Sequence, residues 1–469
     1  MLPDDVLLDI FDHHRLAAQD YSALEPWEWH RLAHVCKRWR TIIFESPRRL
    51  ELRLVYTYRK PPRKNLDCWP ELPLSIWYPR RVLYHHLSHP DEVNAIAALG
   101  HAGRICQINL TLTRPLLEKP TPLMQDPFPV LEDLQLGSRD LNDSLVLPNT
   151  FLGCSTPRLR SIYLDGIPFP TLPQLLLSAP DLVELRLCEI PNTGYFSPEA
   201  LVAGLDVTPR LKFLEIGWSF PTSPPSQQSS LSPYPQTHVA LPALAEFHFR
   251  GDNDYLEDFV ARVDAPNVEQ FNVTLFEQDS FDLPQLAEFT RRTEELTSSP
   301  HRTSIWLWER GFSITHYFGL PSPGRTFQLQ ISCHDLTRQI ALLTRVCRQL
   351  SPLVASVGRL DIEADVGSSG WGDDLGAVQW LELFSPFGGV RRLELTGHLV
   401  PSAVSALEQS SASNTNVGRC DVLPSLRDLH LRYVDSSPPP MASFLAARRR
   451  PGRTVSIHYV EAGDEAHDP

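Results

Sequence analysis

Pro129-Val130-Leu131-Glu132-Asp133-Leu134-Gln135-Leu136 is the stretch that decides the fold. It reads as Pro, any residue, then an apolar L-x-x-L-x-L. The phrase recurs at Pro157 with Leu159, Ile162 and Leu164, at Pro180 with Leu182, Leu185 and Leu187, and at Pro209 with Leu211, Leu214 and Ile216. It returns at Pro242 with Leu244, Phe247 and Phe249, at Pro266 with Val268, Phe271 and Val273, and at Pro424 with Leu426, Leu429 and Leu431. Copies without Pro are Ile105/Ile108/Leu110, Val357/Leu360/Ile362 and Val390/Leu393/Leu395, and partial copies are Ile305/Leu307, Leu329/Ile331 and Val455/Ile457. The spacing runs from about 23 to about 36 residues. Repetition on this scale predicts a solenoid, an architecture that offers an extended binding surface.

Each unit has a legible chemistry. Alternating apolar residues predict a short strand with one face in the core, the intervening residues facing the other way. Helical patterns lie between strands, at 175–177, 198–205, 255–263, 336–350 and 375–384, several stopped by Pro or Gly before the next strand. Strand then helix, repeated, predicts an α/β fold with a parallel sheet. Two insertions, Ser/Pro/Gln-rich over 221–236 and Ser/Asn-rich over 409–418, read as mobile loops near 219–238 and 409–420. Ser223-Pro224 and Ser232-Pro233 in the first are candidate phosphorylation sites, an unmodified loop being the default.

Bulk properties narrow the function. A formal charge of -13 over 469 residues excludes a general nucleic-acid or acidic-membrane binder, since phosphates require clustered Lys and Arg. The basic clusters Lys37-Arg38 and Arg448-Arg449-Arg450 are short and read as solvated. The opening Met1-Leu2-Pro3-Asp4-Asp5 lacks the features of a signal peptide, and no apolar run approaches the ~18 residues of a membrane span. Eight cysteines without a C-x-x-C pair fit a reduced intracellular compartment, cytoplasmic or nuclear. No cofactor or metal is expected. His85, His86 and His89 have helical spacing but lack further ligands, and Trp371-Gly372-Asp373-Asp374 reads as a turn. With no P-loop, dinucleotide fingerprint or nucleophile motif, the sequence predicts no enzyme.

The first segment, residues 1–58, differs from the rest. Leu2-Pro3-Asp4-Asp5-Val6-Leu7-Leu8-Asp9-Ile10-Phe11 starts a helix with Pro and acids in its first turn, and Leu7, Ile10 and Phe11 recur at three and four. A second helical stretch over 26–33 leads into Val35-Cys36-Lys37-Arg38-Trp39-Arg40, where Leu32, Val35, Cys36 and Trp39 share the same spacing. Residues 59–102 read as a connector and solenoid cap, with Lys60-Pro61-Pro62-Arg63-Lys64, a strand at 81–84 and a helix over 91–99. The array spans 103–460, and 461–469 reads as a disordered acidic tail.

L-P-D-D-V-L-L-D-I-F followed by L-A-x-V-C-K-R-W-R resembles the F-box motif, and the repeats resemble degenerate leucine-rich repeats of the kind that follow an F-box. The resemblance implies docking on a Skp-family adaptor of a cullin ubiquitin ligase through Leu2, Pro3, Leu7, Ile10, Phe11, Val35, Cys36 and Trp39. It implies a substrate-recognition subunit whose repeats hold an unknown target protein. The alternatives are a non-ligase repeat scaffold with a vestigial F-box and, for the first segment alone, a capping bundle. The stretch 13–25 is longer and more polar than the usual turn of the motif. Asn, which many such repeats keep three residues after the last Leu, is replaced by Arg139, Ile167, Ile190, Ser219, Asp252, Phe276, His398 and Val434.

For the target, outward residues of the most regular repeats combine aromatics with both charges: Tyr163, Asp165, Glu184, Arg186, Glu215, Trp218, Glu246, His248 and Arg250. A fallback surface lies around Arg392, Glu394, His430 and Arg432.

Overall fold

A computed structural model describes residues 2–19, 32–46, 54–56, 72–78, 96–138, 140, 145–221, 238–278, 281–296, 299–319, 324–364, 376–412, 422–433, 441–448 and 454–461. The role of the repeated Pro is local. In Phe128-Pro129-Val130-Leu131 the N–H of Leu131 bonds Phe128 O at 3.2 Å, closing a four-residue turn with Pro second. Leu159 to Thr156, Leu182 to Ala179, Leu211 to Thr208, Leu244 to Leu241 and Leu426 to Leu423 close the same turn. The fixed φ of Pro suits this second position, and the missing N–H is not needed there. Phe387-Gly388-Gly389-Val390 makes the turn without Pro, Val390 N bonding Phe387 O at 3.4 Å. The next residue starts the ladder: Arg160 N bonds Glu132 O, Val183 N bonds Arg160 O, Glu269 N bonds Ala245 O and Arg427 N bonds Arg391 O, each at 2.8 Å. Every apolar position of the seven Pro-led copies is buried. The strand register read from alternation, with Leu185 and Leu214 inward, therefore holds.

The fold is mixed α/β, mostly parallel in its sheets, with a small helical N-terminal region. The chain forms two compact units. The first comprises Met1–Phe196 and Ala203–Leu211, the second Ser197–Val202 and Lys212–Pro469. In the first unit, helices Asp4–Gln19 and Lys37–Glu45 precede strands β1 (Leu54–Tyr56), β2 (Leu74–Tyr78), β3 (Ile105–Leu112), β4 (Asp133–Ser138), β5 (Ser161–Asp165) and β6 (Glu184–Ile190). These strands pair in chain order and in parallel. Two of the positions that lack Asn, Ile167 and Ile190, are buried.

The second unit has strands β7 (Phe213–Trp218), β8 (Val239–Ala240), β9 (Glu246–Gly251), β10 (Val263–Asp264), β11 (Gln270–Leu275), β12 (Arg302–Trp308), β13 (Gly311–Phe318), β14 (Arg325–Ser332), β15 (Arg359–Ala364), β16 (Arg392–Thr396), β17 (Asp428–Tyr433) and β18 (Ser456–Glu461). β8 and β10 form a separate parallel pair. The others run in the order β7-β9-β11-β14-β13-β12-β15-β16-β17-β18. Here the structure departs from the expected uniform parallel array. The partial copies at Ile305/Leu307 and Leu329/Ile331 are the outer strands of an antiparallel meander, with β13 between them. The reason is connection length. Trp308 pairs with Gly311, leaving only Glu309 and Arg310 between strands, whereas a parallel pair needs a crossover of about a dozen residues. Gly311 is required, because a Cβ there would lie 2.3 Å from Ile331 O. Since β13 alone is reversed, β14 still pairs parallel to β11 and β12 parallel to β15.

The interstrand helices Pro198–Leu205, Asn253–Arg262, Leu336–Gln349 and Ala377–Phe384 stand where the sequence placed them. Pro284–Arg292 and Ala442–Arg448 were not anticipated. Residues 409–412, expected in a loop, continue the helix Val400–Ala412, with Ser410 Oγ donating to Leu407 O at 2.8 Å. The 91–99 helix is described only over 96–99 and the 26–33 helix only at 32–33. The strand at 81–84, His85, His86, His89, Arg139, Ser223, Ser232, Trp371–Asp374, Val434, loop residues 222–236 and 413–418, and tail residues 462–469 lie outside the described residues.

Candidate protein-interaction surfaces

The N-terminal helices sort their apolar residues into two sets. Leu7, Leu8 and Phe11 are buried with Ala33, Ile42 and Ile43, and the Phe11 ring meets Trp39 edge-on at 4.8 Å. The positions one residue earlier face outward: Val6 is 40% and Ile10 45% exposed, joined by Leu2 at 52% and Val35 at 59%. Helical geometry explains the split, because Val6/Ile10 and Leu7/Phe11 are i, i+4 pairs on different faces. Of the eight adaptor-facing residues expected, Leu2, Pro3, Ile10, Val35 and Cys36 are exposed and Trp39 is partly buried. Leu7 and Phe11 are corrected: their side chains form the core of this helical segment and offer no free surface.

Arg38 holds the arrangement. Its Nη2 donates to Leu2 O at 2.6 Å and its Nε to Asp4 Oδ1 at 3.1 Å, bringing the start of the second helix against Leu2. Cys36 caps that helix, its Sγ accepting from Trp39 N at 3.4 Å. Val6 was not singled out from the sequence, although its spacing to Ile10 was a signal, and Arg38, read there as part of a solvated basic cluster, is instead bonded to Asp4 and to Leu2 O.

The nine target-facing residues expected divide between the units. On the first, Tyr163 pairs with Arg186 across β5 and β6, and the Arg186 Nε donates to Glu184. A polar ladder lies on neighbouring strands: Ser75 Oγ to Gln107 Oε1 at 2.6 Å, Gln107 Nε2 to Asp133 Oδ2 at 2.8 Å and Asn109 Nδ2 to Gln135 Oε1 at 2.7 Å. Asp165 is corrected, being buried at 7% exposure.

On the second unit, Glu215 pairs with His248, whose ring stacks on Phe213 at 5.0 Å. Glu246 Oε2 lies 3.8 Å from His248 Nε2, and Arg250 lies over the Phe276 ring at 5.6 Å. Trp218 is the clearest correction. It is fully buried, at 5.4 Å from Tyr255, because it continues the inward alternation of Leu214 and Ile216. The fallback residues do come together. Arg392 Nη2 is 3.4 Å and Arg432 Nε 2.9 Å from Glu394, and His430 stacks on His458 at 4.5 Å. Burial lowers the His430 pKa, helped by Arg392 and His458.

Two further titratable groups of the second unit, His316 and Cys347, belong to the interior. His316 is fully buried, with Nδ1 2.7 Å from Thr303 Oγ1, and burial pushes its pKa down to about 3, so the ring stays neutral. Burial pushes the Cys347 thiol up to about 12. Among the described residues no group of three or more His, Cys, Asp or Glu is placed to hold a metal ion, and no helix is long and apolar enough to cross a membrane.

Comparison with protein families adds one finding. The F-box-like family model matches residues 1–49, which spans both described N-terminal helices. No curated protein matches the chain.

Proposed function

We propose that this chain is a substrate-recognition subunit of a Skp–cullin–F-box ubiquitin ligase, its first helices docking a Skp-type adaptor and its repeats, a leucine-rich-repeat-like solenoid, holding a target protein. The observation that carries the reading is the F-box-like match over residues 1–49, on a segment that leaves Leu2, Val6, Ile10 and Val35 exposed. Isolated apolar side chains at a surface are ordinary, but four on so short a helical segment suit a partner. In this role the protein performs no covalent step. It raises the effective concentration of target lysines near the ligase.

The test is binding of purified full-length chain to a recombinant Skp-type adaptor. The double variant Leu2→Ala/Pro3→Ala removes exposed side chains yet keeps the backbone carbonyls used by Arg38 and Leu7. The expected loss is about 2 kcal/mol, roughly thirty-fold in Kd, as for truncation at an interface hot spot. Wild-type chain that shows no adaptor binding sinks the ligase reading and leaves the scaffold alternative.

A further inference from the structure

Four arginines and two carboxylates interlock on the outward side of β12, β15, β16 and β17, within the second unit. Asp361 on β15 and Glu394 on β16 lie on solvent-facing rows of their strands, yet each is only 7% exposed. Arginines cover them. Arg302 Nε donates to Asp361 Oδ2 and Arg359 Nε to Asp361 Oδ1 at 2.9 Å. Arg359 Nη2 donates to Glu394 Oε2 at 3.0 Å, and Arg392 Nη2 reaches the same oxygen at 3.4 Å. Arg432 Nε sits 2.9 Å from Glu394 Oε1, off the line of a hydrogen bond.

The donors of this network far outnumber its acceptor sites. A guanidinium carries five N–H groups. Arg302, Arg392 and Arg432 have no acceptor other than these two carboxylates among the described residues, and their side chains are 40%, 34% and 41% exposed. The buried carboxylates thus fix the orientation of guanidiniums that keep unpaired terminal N–H groups, the unpaired Nε groups of Arg392 and Arg432 being themselves buried, and this lowers the entropic cost of holding an incoming anion. Glu363 and Asp428, on the same face of β15 and β17, balance the formal charge at four against four. Complementarity therefore comes from layering, with two acids buried beneath the arginines, and not from net charge.

An aromatic group adjoins the array. Trp306 of β12 is 49% exposed, pairs in register with Glu363 of β15, and lies 5.2 Å from Trp308. The Arg302 guanidinium lies 5.5 Å from the Tyr317 ring centre. Arg, Trp and Tyr are the side chains enriched where proteins bind one another.

We infer that the outward face of β12, β15, β16 and β17 is a docking site for an acidic peptide segment of a partner protein, its carboxylates on Arg302, Arg392 and Arg432 and an apolar side chain on Trp306. This deepens the receptor reading by naming the chemistry of the target, and it does not depend on adaptor docking. Nothing in the sequence pointed to Arg302, Arg359 or Asp361, because Arg302 and Asp361 are 59 residues apart in the chain.

The test uses purified full-length chain and a fluorescein-labelled glutamate-rich peptide carrying one tryptophan, followed by anisotropy. Binding should weaken with salt. Arg302→Gln/Arg432→Gln leaves Arg359 on Asp361 and both Arg359 and Arg392 on Glu394, so the fold should hold. That variant should bind about ten-fold more weakly, as expected for two half-exposed charge contacts. Glu363→Gln removes a repelling carboxylate beside Trp306 and should tighten binding. Equal affinity of the double variant, equal binding of the peptide with glutamine for glutamate, or full competition by inorganic phosphate alone overturns the assignment. Should the double variant fail to fold, Glu363→Gln decides: unchanged or weaker binding also overturns it. Adaptor binding, measured in parallel, should be the same for all variants, so failure here is distinct from failure of the ligase reading.

Discussion

Phe271 is the side chain on which the core of the second unit can be tested most sharply. It is fully buried on β11, with ring centres 5.1 Å from Phe247, 5.3 Å from Phe289 and 5.5 Å from Phe327. Phe247 and Phe327 lie on the strands flanking β11 and Phe289 on the helix that follows it, so one ring ties four elements. Truncation of a buried Phe to Ala costs about 3–5 kcal/mol, including the cavity left behind. Each aromatic pair adds about 0.5–1.5 kcal/mol beyond its area, but these terms overlap with the cavity term. Phe271→Ala should therefore cost roughly 4 kcal/mol locally, and Phe271→Leu, which keeps most of the volume, under about 1.5 kcal/mol. A chain with two compact units does not support a single unfolding free energy, so the assay is native-state hydrogen exchange read segment by segment. Protection should fall in β9, β11, β14 and the Pro284–Arg292 helix, with β16 and β17 unchanged, because β11 pairs with β9 and β14 and not with β16 or β17. A loss under about 1 kcal/mol in β11, or an equal loss in β17, would refute the reasoning.

Trp218→Ala should destabilise the second unit by about 3–5 kcal/mol, seen as a lower melting temperature; capture of a partner lost without any change in melting would mean that Trp218 is a surface contact after all. Arg38→Ala should weaken adaptor binding only a few-fold, since the exposed pair with Asp4 is worth about 1 kcal/mol or less, while amide exchange of Leu7 and its neighbours speeds up. Glu257 gives a pH prediction. Burial raises its pKa from 4.5 to about 7, against the pull of the Gln285 and Leu286 N–H groups that it accepts at 2.7 and 3.0 Å, with Asp282 and Asp254 adding to the rise. The folded state therefore favours the neutral acid. This contribution to stability is fully present below pH 4.5 and is lost as pH rises through about 7. Denaturation midpoints of wild type should fall relative to Glu257→Gln across that window and stay level above it; a difference that does not vary with pH would show that the group is not perturbed.

The sequence by itself determined the repeat unit. Pro at the second place of a turn, an apolar residue closing it, and alternation through the strand are interactions among neighbours within eight residues, so Pro129 to Leu136 carried all that was needed. The same locality placed the inward faces, and the alternation would have put Trp218 inside had it been followed two residues past Ile216. It also set the N-terminal motif, though not which members of it stay exposed, because the burial of Leu7 and Phe11 depends on the helix Lys37–Glu45, whose Trp39 meets the Phe11 ring, packing against the first helix. Tertiary structure alone decided the rest. The order β11-β14-β13-β12-β15 follows from pairing at a distance, constrained by a two-residue connection whose consequence reaches both neighbouring strands. The layering of Arg302, Arg359, Arg392 and Arg432 over Asp361 and Glu394 belongs to four strands spread across the sequence. A charged residue on an outward strand position reads as solvated, and only the cross-strand neighbours decide whether it is buried, paired or left with hydrogen-bonding capacity to spare.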